Sequence, residues 1–164
     1  MIKVLFAAAA ALALSACMSL SRSSTLTALP VGEAARLKVT EIRLTVSDAV
    51  KVSPKFDEIF REHVQAKLDK CATGEQPVRL EAKVDRLDKS NAVLTAIVAG
   101  SNVLRGSAKL VDVSSGAVIG DYQVGQTVVG RSVAVVVMAK AEEQLSDGFG
   151  EELCKQAFPS VSPK

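Results

Sequence analysis

Apolar and polar residues alternate along several stretches of this chain and recur at helical spacing along two others. Leu37, Val39, Ile42, Leu44 and Val46 alternate with Lys38, Thr40, Arg43 and Thr45, the mark of a half-buried strand. The phase slips at Glu41-Ile42, which predicts a bulge there. Ser53-Pro54 then offers a cap and a first-turn proline, with Asp57 and Glu58 near the positive end of the helix dipole. Phe56, Ile59, Phe60, Val64, Leu68 and Cys71 follow mostly at three- and four-residue steps and define one apolar helix face, closed by Gly74 and Pro77. Val78, Leu80, Ala82 and Val84 alternate with Arg79, Glu81, Lys83 and Asp85 as a second strand. A hairpin follows, with strands over about 104–113 and 117–128 and a turn at Ser114-Ser115-Gly116. Val133, Val137, Ala141, Leu145, Phe149 and Leu153 step by four and predict a last helix over 132–157, which Gly148 and Gly150 would loosen or bend.

These elements predict an α+β domain with a mixed four-stranded sheet and two helices on one face, in the order strand-helix-strand-strand-strand-helix. Two stretches do not fit the amphipathic scheme. Residues 92–99 are apolar on nearly all sides, and periodicity leaves helix, strand and exposed loop open. Residues 133–138 are all apolar, where an amphipathic helix needs about three of six. Both either bury against the domain or form a contact surface for a partner or a lipid chain. The side chains on which such a surface would rest are Val93, Leu94, Ile97, Val98, Val135 and Met138.

The N-terminal segment differs in kind. Lys3 precedes an uninterrupted apolar run, Val4 to Leu14, which ends in Leu14-Ser15-Ala16-Cys17. Spanning a bilayer takes about 20 apolar residues, so this run is too short for a transmembrane helix and has the layout of a secretory signal. A signal ending in Leu-Ser-Ala-Cys resembles the lipobox of bacterial lipoproteins. That resemblance implies removal of residues 1–16 and lipidation of Cys17, with a diacylglyceryl group and an amide-linked acyl chain. The alternative is a plain secretory signal in which Cys17 is incidental. Two acyl chains suffice for stable anchoring, since each buried methylene contributes about 0.8 kcal/mol. Met18 follows the cysteine, and by the same resemblance this points to the outer membrane, because aspartate there would favour retention in the inner one. Residues 17–33, rich in Ser and Thr, read as a flexible tether, residues 34–158 as a single domain expected to face the periplasm, and 159–164 as a tail.

Cysteine count and charge narrow the rest. With Cys17 lipidated, Cys71 and Cys154 remain, and an even pair in an oxidising compartment reads as a disulfide rather than two buried thiols. Topology allows it. If the first two strands are parallel and the hairpin follows antiparallel, both helices run the same way and end near each other, within the roughly 7 Å that a bridge requires. The net charge of +2, without a basic stripe and with one Tyr and no Trp, argues against a nucleic-acid partner. No cysteine or histidine cluster at metal-ligand spacing occurs, no G-x-S-x-G elbow and no phosphate loop, so neither a metal nor a cofactor is expected. The single histidine, His63, reads as a helix-surface residue, and Glu142-Glu143 and Glu151-Glu152 read as pairs mostly on the polar side of the last helix.

Gly106, Leu110, Asp112, Gly116 and Val118 form the pattern G-s-a-x-L-v-D-x-x-x-G-x-v within the hairpin. With the element order over Leu37 to Phe158, this is similar to uncharacterised bacterial lipoproteins that carry the α/β domain of the curli-secretion lipoprotein and of the N-terminal domain of the Tol-system propeller protein. The resemblance implies a non-enzymatic role in envelope assembly or scaffolding, with envelope proteins as partners and the membrane reached through the lipid anchor. It supplies no catalytic residues. A lipid-binding or transport accessory is the alternative.

Overall fold

The computed structural model describes residues 17–30, 32–90, 100–130 and 140–159. The chain forms β1 (Cys17–Ser21), β2 (Ser24–Thr27), β3 (Leu37–Val46), α1 (Phe56–Leu68), β4 (Gln76–Asp88), β5 (Gly100–Asp112), β6 (Val118–Gly130) and α2 (Ala141–Ala157). The described sheet has six strands in the order β1-β6-β5-β4-β3, with β2 also paired to β6. It is mixed: β3 and β4 are parallel, and the other pairings are antiparallel.

The expectation of four strands is therefore corrected to six. The two additional strands come from the segment that composition assigned to a tether. β2 is exposed at every position, so it has no buried face to impose alternation. Its place is set by backbone pairing alone, to which a hydrophobic pattern is blind. Side chains then fasten this edge: Ser21 Oγ donates to Glu152 Oε2 at 2.5 Å and Thr25 Oγ1 to Gln156 Oε1 at 3.3 Å.

The remaining elements follow from their apolar spacing. In α1, Phe56, Phe60, Val64 and Leu68 step by four and are all buried. In α2, Leu145, Phe149 and Leu153 do the same. Phe60 meets Phe149 edge-on at 5.1 Å between ring centroids and Phe56 at 5.8 Å, which joins the two helices over the sheet. Beneath them lie Val78, Leu80, Ala82 and Val84 of β4, Leu104, Ala108 and Leu110 of β5, and Tyr122, Val124 and Val128 of β6. The other face of the sheet carries Lys83, Arg105 and Lys109 into water, as antiparallel sheets allow.

Three local expectations shift. The bulge in β3 falls between Val39 and Glu41, so Thr40 is the extra residue and both Val39 and Ile42 reach the core. Helix α1 starts at Phe56, and Ser53 does not cap it, because the Ser53 side chain is engaged by Glu142. Gly148 and Gly150 lie within an unbroken helix as close-approach points. A Cβ at Gly148 would come within 2.6 Å of Gln126 Cγ, and one at Gly150 within 2.8 Å of Lys67 Cβ. The described part of the last helix begins at Ala141, and residues 132–139 of the expected helix lie outside the described residues.

At the β5–β6 turn, Asp112 Oδ1 accepts the backbone N–H groups of Ser114 (3.0 Å) and Ser115 (2.8 Å), and Gly116 takes a φ of 72°. Hydrogen bonds from the Ser114 hydroxyl, then from Ser115 and Gln76, hold the Asp112 carboxyl well below the usual carboxylate range. This accounts for Asp112 and Gly116 in the hairpin pattern: the carboxylate organises the turn and glycine accepts the left-handed backbone.

Candidate functional site

Strand direction sorts the molecule into two ends. At one end, Cys17 is paired with Gly130, and Gly130 is paired on its other side with Gly100. Neighbouring strands are about 4.8 Å apart, so these three backbone positions lie in a row roughly 10 Å long. The start of α2 and the exits of β3, β4 and β6 are at this end too. Residues 91–99 connect to it at Gly100 and residues 131–139 at Gly130, so both apolar sequences join the sheet beside Cys17. Val93, Leu94, Ile97, Val98, Val135 and Met138 themselves lie outside the described residues.

The described residues clasp the stems of these connections. Asn102, fully buried on β5, accepts through Oδ1 from the Ser90 backbone N–H at 2.9 Å and from its hydroxyl at 3.2 Å. Glu142, in the first turn of α2, accepts from Ser53 N–H at 2.9 Å, Ser53 Oγ at 2.5 Å and Lys89 Nζ at 2.8 Å. One carboxylate thus ties together the β3–α1 connection, the end of β4 and the start of α2. Burial pushes its pKa up, but the Lys89 ammonium and the two Ser53 donors outweigh that and hold it below its ordinary value of 4.5. A cavity of about 290 Å³ opens here, with Lys89, Lys140, Glu142 and Ile59 in its wall.

Sequence reading placed Glu142 and Glu152 mostly on a polar face, and the structure corrects this: their exposures are 8% and 7%. The signal was in the spacing. Glu142 precedes Leu145 by three residues and Glu152 follows Phe149 by three, so both lie along the apolar stripe of α2. Each is buried with donors attached, Glu152 to Ser21 and Lys155.

His63, read as a surface residue, sits between the helices at partial exposure, with Nδ1 3.1 Å from Asp147 Oδ1. Lys67 Nζ is 2.7 Å from Glu151 Oε1 and 3.6 Å from Asp147. The hydrogen bond to Glu151 raises the Lys67 pKa against the opposing effect of burial. Among the described residues no group of three His, Cys, Asp or Glu side chains is placed to hold a metal ion, and no described helix is long and apolar enough to cross a membrane.

The other end holds the disulfide. Cys71, just past α1, is bonded to Cys154 near the end of α2, with Cα atoms 5.8 Å apart. Both helices run away from the Cys17 end, so their C-terminal turns meet there.

No protein family and no curated protein matches the chain. Among solved structures, a PelC dodecamer from Paraburkholderia phytofirmans aligns at 19% identity over 85% of this chain and 99% of that one, with a TM-score of 0.43. A candidate lipoprotein from Caulobacter crescentus aligns at 11% identity over 75% of this chain and 92% of that one, with a TM-score of 0.45. A Xanthomonas campestris protein of the DUF330 family aligns at 14% identity over 79% of this chain and 90% of that one, with a TM-score of 0.48.

Proposed function

We propose that this protein is a non-catalytic lipoprotein of the bacterial envelope, held at the outer membrane through Cys17 and acting as a protein-binding or assembly factor. The observation that carries this reading is the double position of Cys17. It closes the run Leu14-Ser15-Ala16-Cys17 after an apolar leader, and it is also the first residue of β1. Cleavage before it gives a mature chain whose lipidated residue opens the sheet edge. The likeness of the hairpin pattern to envelope lipoprotein domains supports the same role. The apolar sequences 92–99 and 133–138, joined to the sheet at this end, supply candidate contact surface.

The test is crosslinking in native membranes, followed by purification and mass spectrometry of both proteins and lipids. A reproducible envelope protein crosslinked to this chain supports an assembly role. Stoichiometric co-purified lipid without a protein partner instead establishes the second reading, a lipid-binding or transport accessory. That reading rests on the same two apolar sequences.

A further inference from the structure

From the register of β1 we infer that the domain stands end-on against the lipid surface, with the Cys17–Gly130–Gly100 end of the sheet seated on it and no spacer between. This inference rests on the lipoprotein reading of Cys17 and adds the orientation that follows from it.

Two observations carry it. The first is reach. Pairing with β6 begins at Cys17 itself, opposite Gly130, and continues through Met18↔Val129, Ser19↔Val128, Leu20↔Thr127 and Ser21↔Gln126. A flexible tether of ten residues would let the domain wander by tens of ångströms. Here the lipidated residue is itself in the sheet, so acyl chains on Cys17 hold this end at the bilayer and direct β5 and β6 away from it.

The second is charge. No Lys, Arg, Asp or Glu occurs from Cys17 to Ser21, from Ser90 to Leu104, or from Tyr122 to Gly130. The first charges met along the hairpin, moving away from Gly100 and Gly130, are Arg105 on β5 and Asp121 on β6, followed by Lys109 and Asp112. The other half of the sheet is not spared in this way: β4 carries Asp85, Arg86 and Asp88 up to its end. The charge-free zone is confined to the strands that hold Cys17. Ionised side chains are costly to bring into hydrocarbon, so a charge-free band beside a lipidated residue fits a bilayer better than it fits open water. The band is bounded in sequence by Lys89 before Ser90 and by Arg131 after Gly130, cations that suit the phosphate layer of a bilayer surface rather than its hydrocarbon.

The test uses the full lipidated protein, reconstituted in phosphatidylethanolamine/phosphatidylglycerol vesicles that contain a headgroup nitroxide lipid. Ser101 is exposed on β5 beside Gly100, and Ser115 is exposed in the turn at the far end, about 40 Å away along a strand of this length. Fluorophores are placed singly by Ser101→Cys and Ser115→Cys, and the melts of both variants are matched to the parent. The expected result is quenching at Ser101 several-fold stronger than at Ser115. Equal quenching at the two sites, stronger quenching at Ser115, or none at Ser101 overturns the orientation. A Ser101 label shielded from aqueous iodide yet untouched by the nitroxide lipid also overturns it, since a protein then covers this end. Intact mass of the same sample separates the two claims. An unacylated chain removes the lipoprotein reading, whereas an acylated chain with the wrong quenching pattern removes only the orientation.

Discussion

Glu142 ties together the β3–α1 connection, the end of β4 and the start of α2 at the Cys17 end. Removing its carboxylate takes these hydrogen bonds from the half-buried Ser53 and the exposed Lys89, which can turn to water, and a lost hydrogen bond of this kind costs about 0.5–1.5 kcal/mol. Glu142→Ala is expected to lower the melting temperature accordingly. The pH dependence has a definite sign. The folded-state pKa of Glu142 lies below its unfolded value of 4.5, so its contribution is complete above that value and is lost as pH falls through the folded pKa. Melting temperatures recorded from neutral pH into the acid range should therefore fall more steeply for the parent than for Glu142→Gln; parallel curves would contradict this. Gly106 belongs to the same scale. The register of β4 shifts between Val84 and Arg86 opposite it, and a Cβ at Gly106 would lie 2.0 Å from the Lys83 carbonyl oxygen. Gly106→Ala is expected to destabilise by about 1–3 kcal/mol in urea titration through backbone overlap, and an unchanged midpoint would show that β4 yields without cost.

At the scale of elements, the helices and strands β3 to β6 were legible because each buries one face against the others. A single buried face writes a period of two or of about 3.6 into the chain, as in Val78-Leu80-Ala82-Val84 and Phe56-Phe60-Val64-Leu68. β1 and β2 were not legible. Every side chain of Ser24–Thr27 is exposed, so pairing with β6 leaves no trace in hydrophobicity, and the Ser/Thr content reads as a linker. Ser53 misled for a related reason: a capping residue and a hydrogen-bonding partner of a distant carboxylate look the same in sequence, and only the fold reveals Glu142. The helix pair makes its own prediction. The Cys71–Cys154 bond spans 83 residues and ties the ends of α1 and α2. The Cys71→Ala/Cys154→Ala double variant is expected to lose about 2–5 kcal/mol of stability, read as a lower melting temperature under oxidising conditions and no difference from the parent under reducing ones. A double variant that melts with the oxidised parent would show that Phe60, Phe149 and their neighbours hold the helices without help.

At the scale of the whole molecule the two ends are unlike. One end carries the disulfide and the turn organised by Asp112; the other carries Cys17 and the Gly100–Gly130 pair in strands free of charge, with the Lys89–Glu142 ion pair beside them. The pairing of Cys17 with Gly130 in the sheet was not legible in the sequence, because it depends on the register of an edge strand. Everything proposed about place and orientation depends on what happens at that residue. Intact-mass and N-terminal peptide analysis of the mature protein, extracted from membranes of a bacterial host, tests it most directly. The account predicts a chain that starts at Cys17 and carries a diacylglyceryl group and an amide-linked acyl chain, with Cys17→Ser accumulating as unprocessed precursor. A water-soluble mature chain that starts at another residue, or one with an unmodified Cys17, would contradict it.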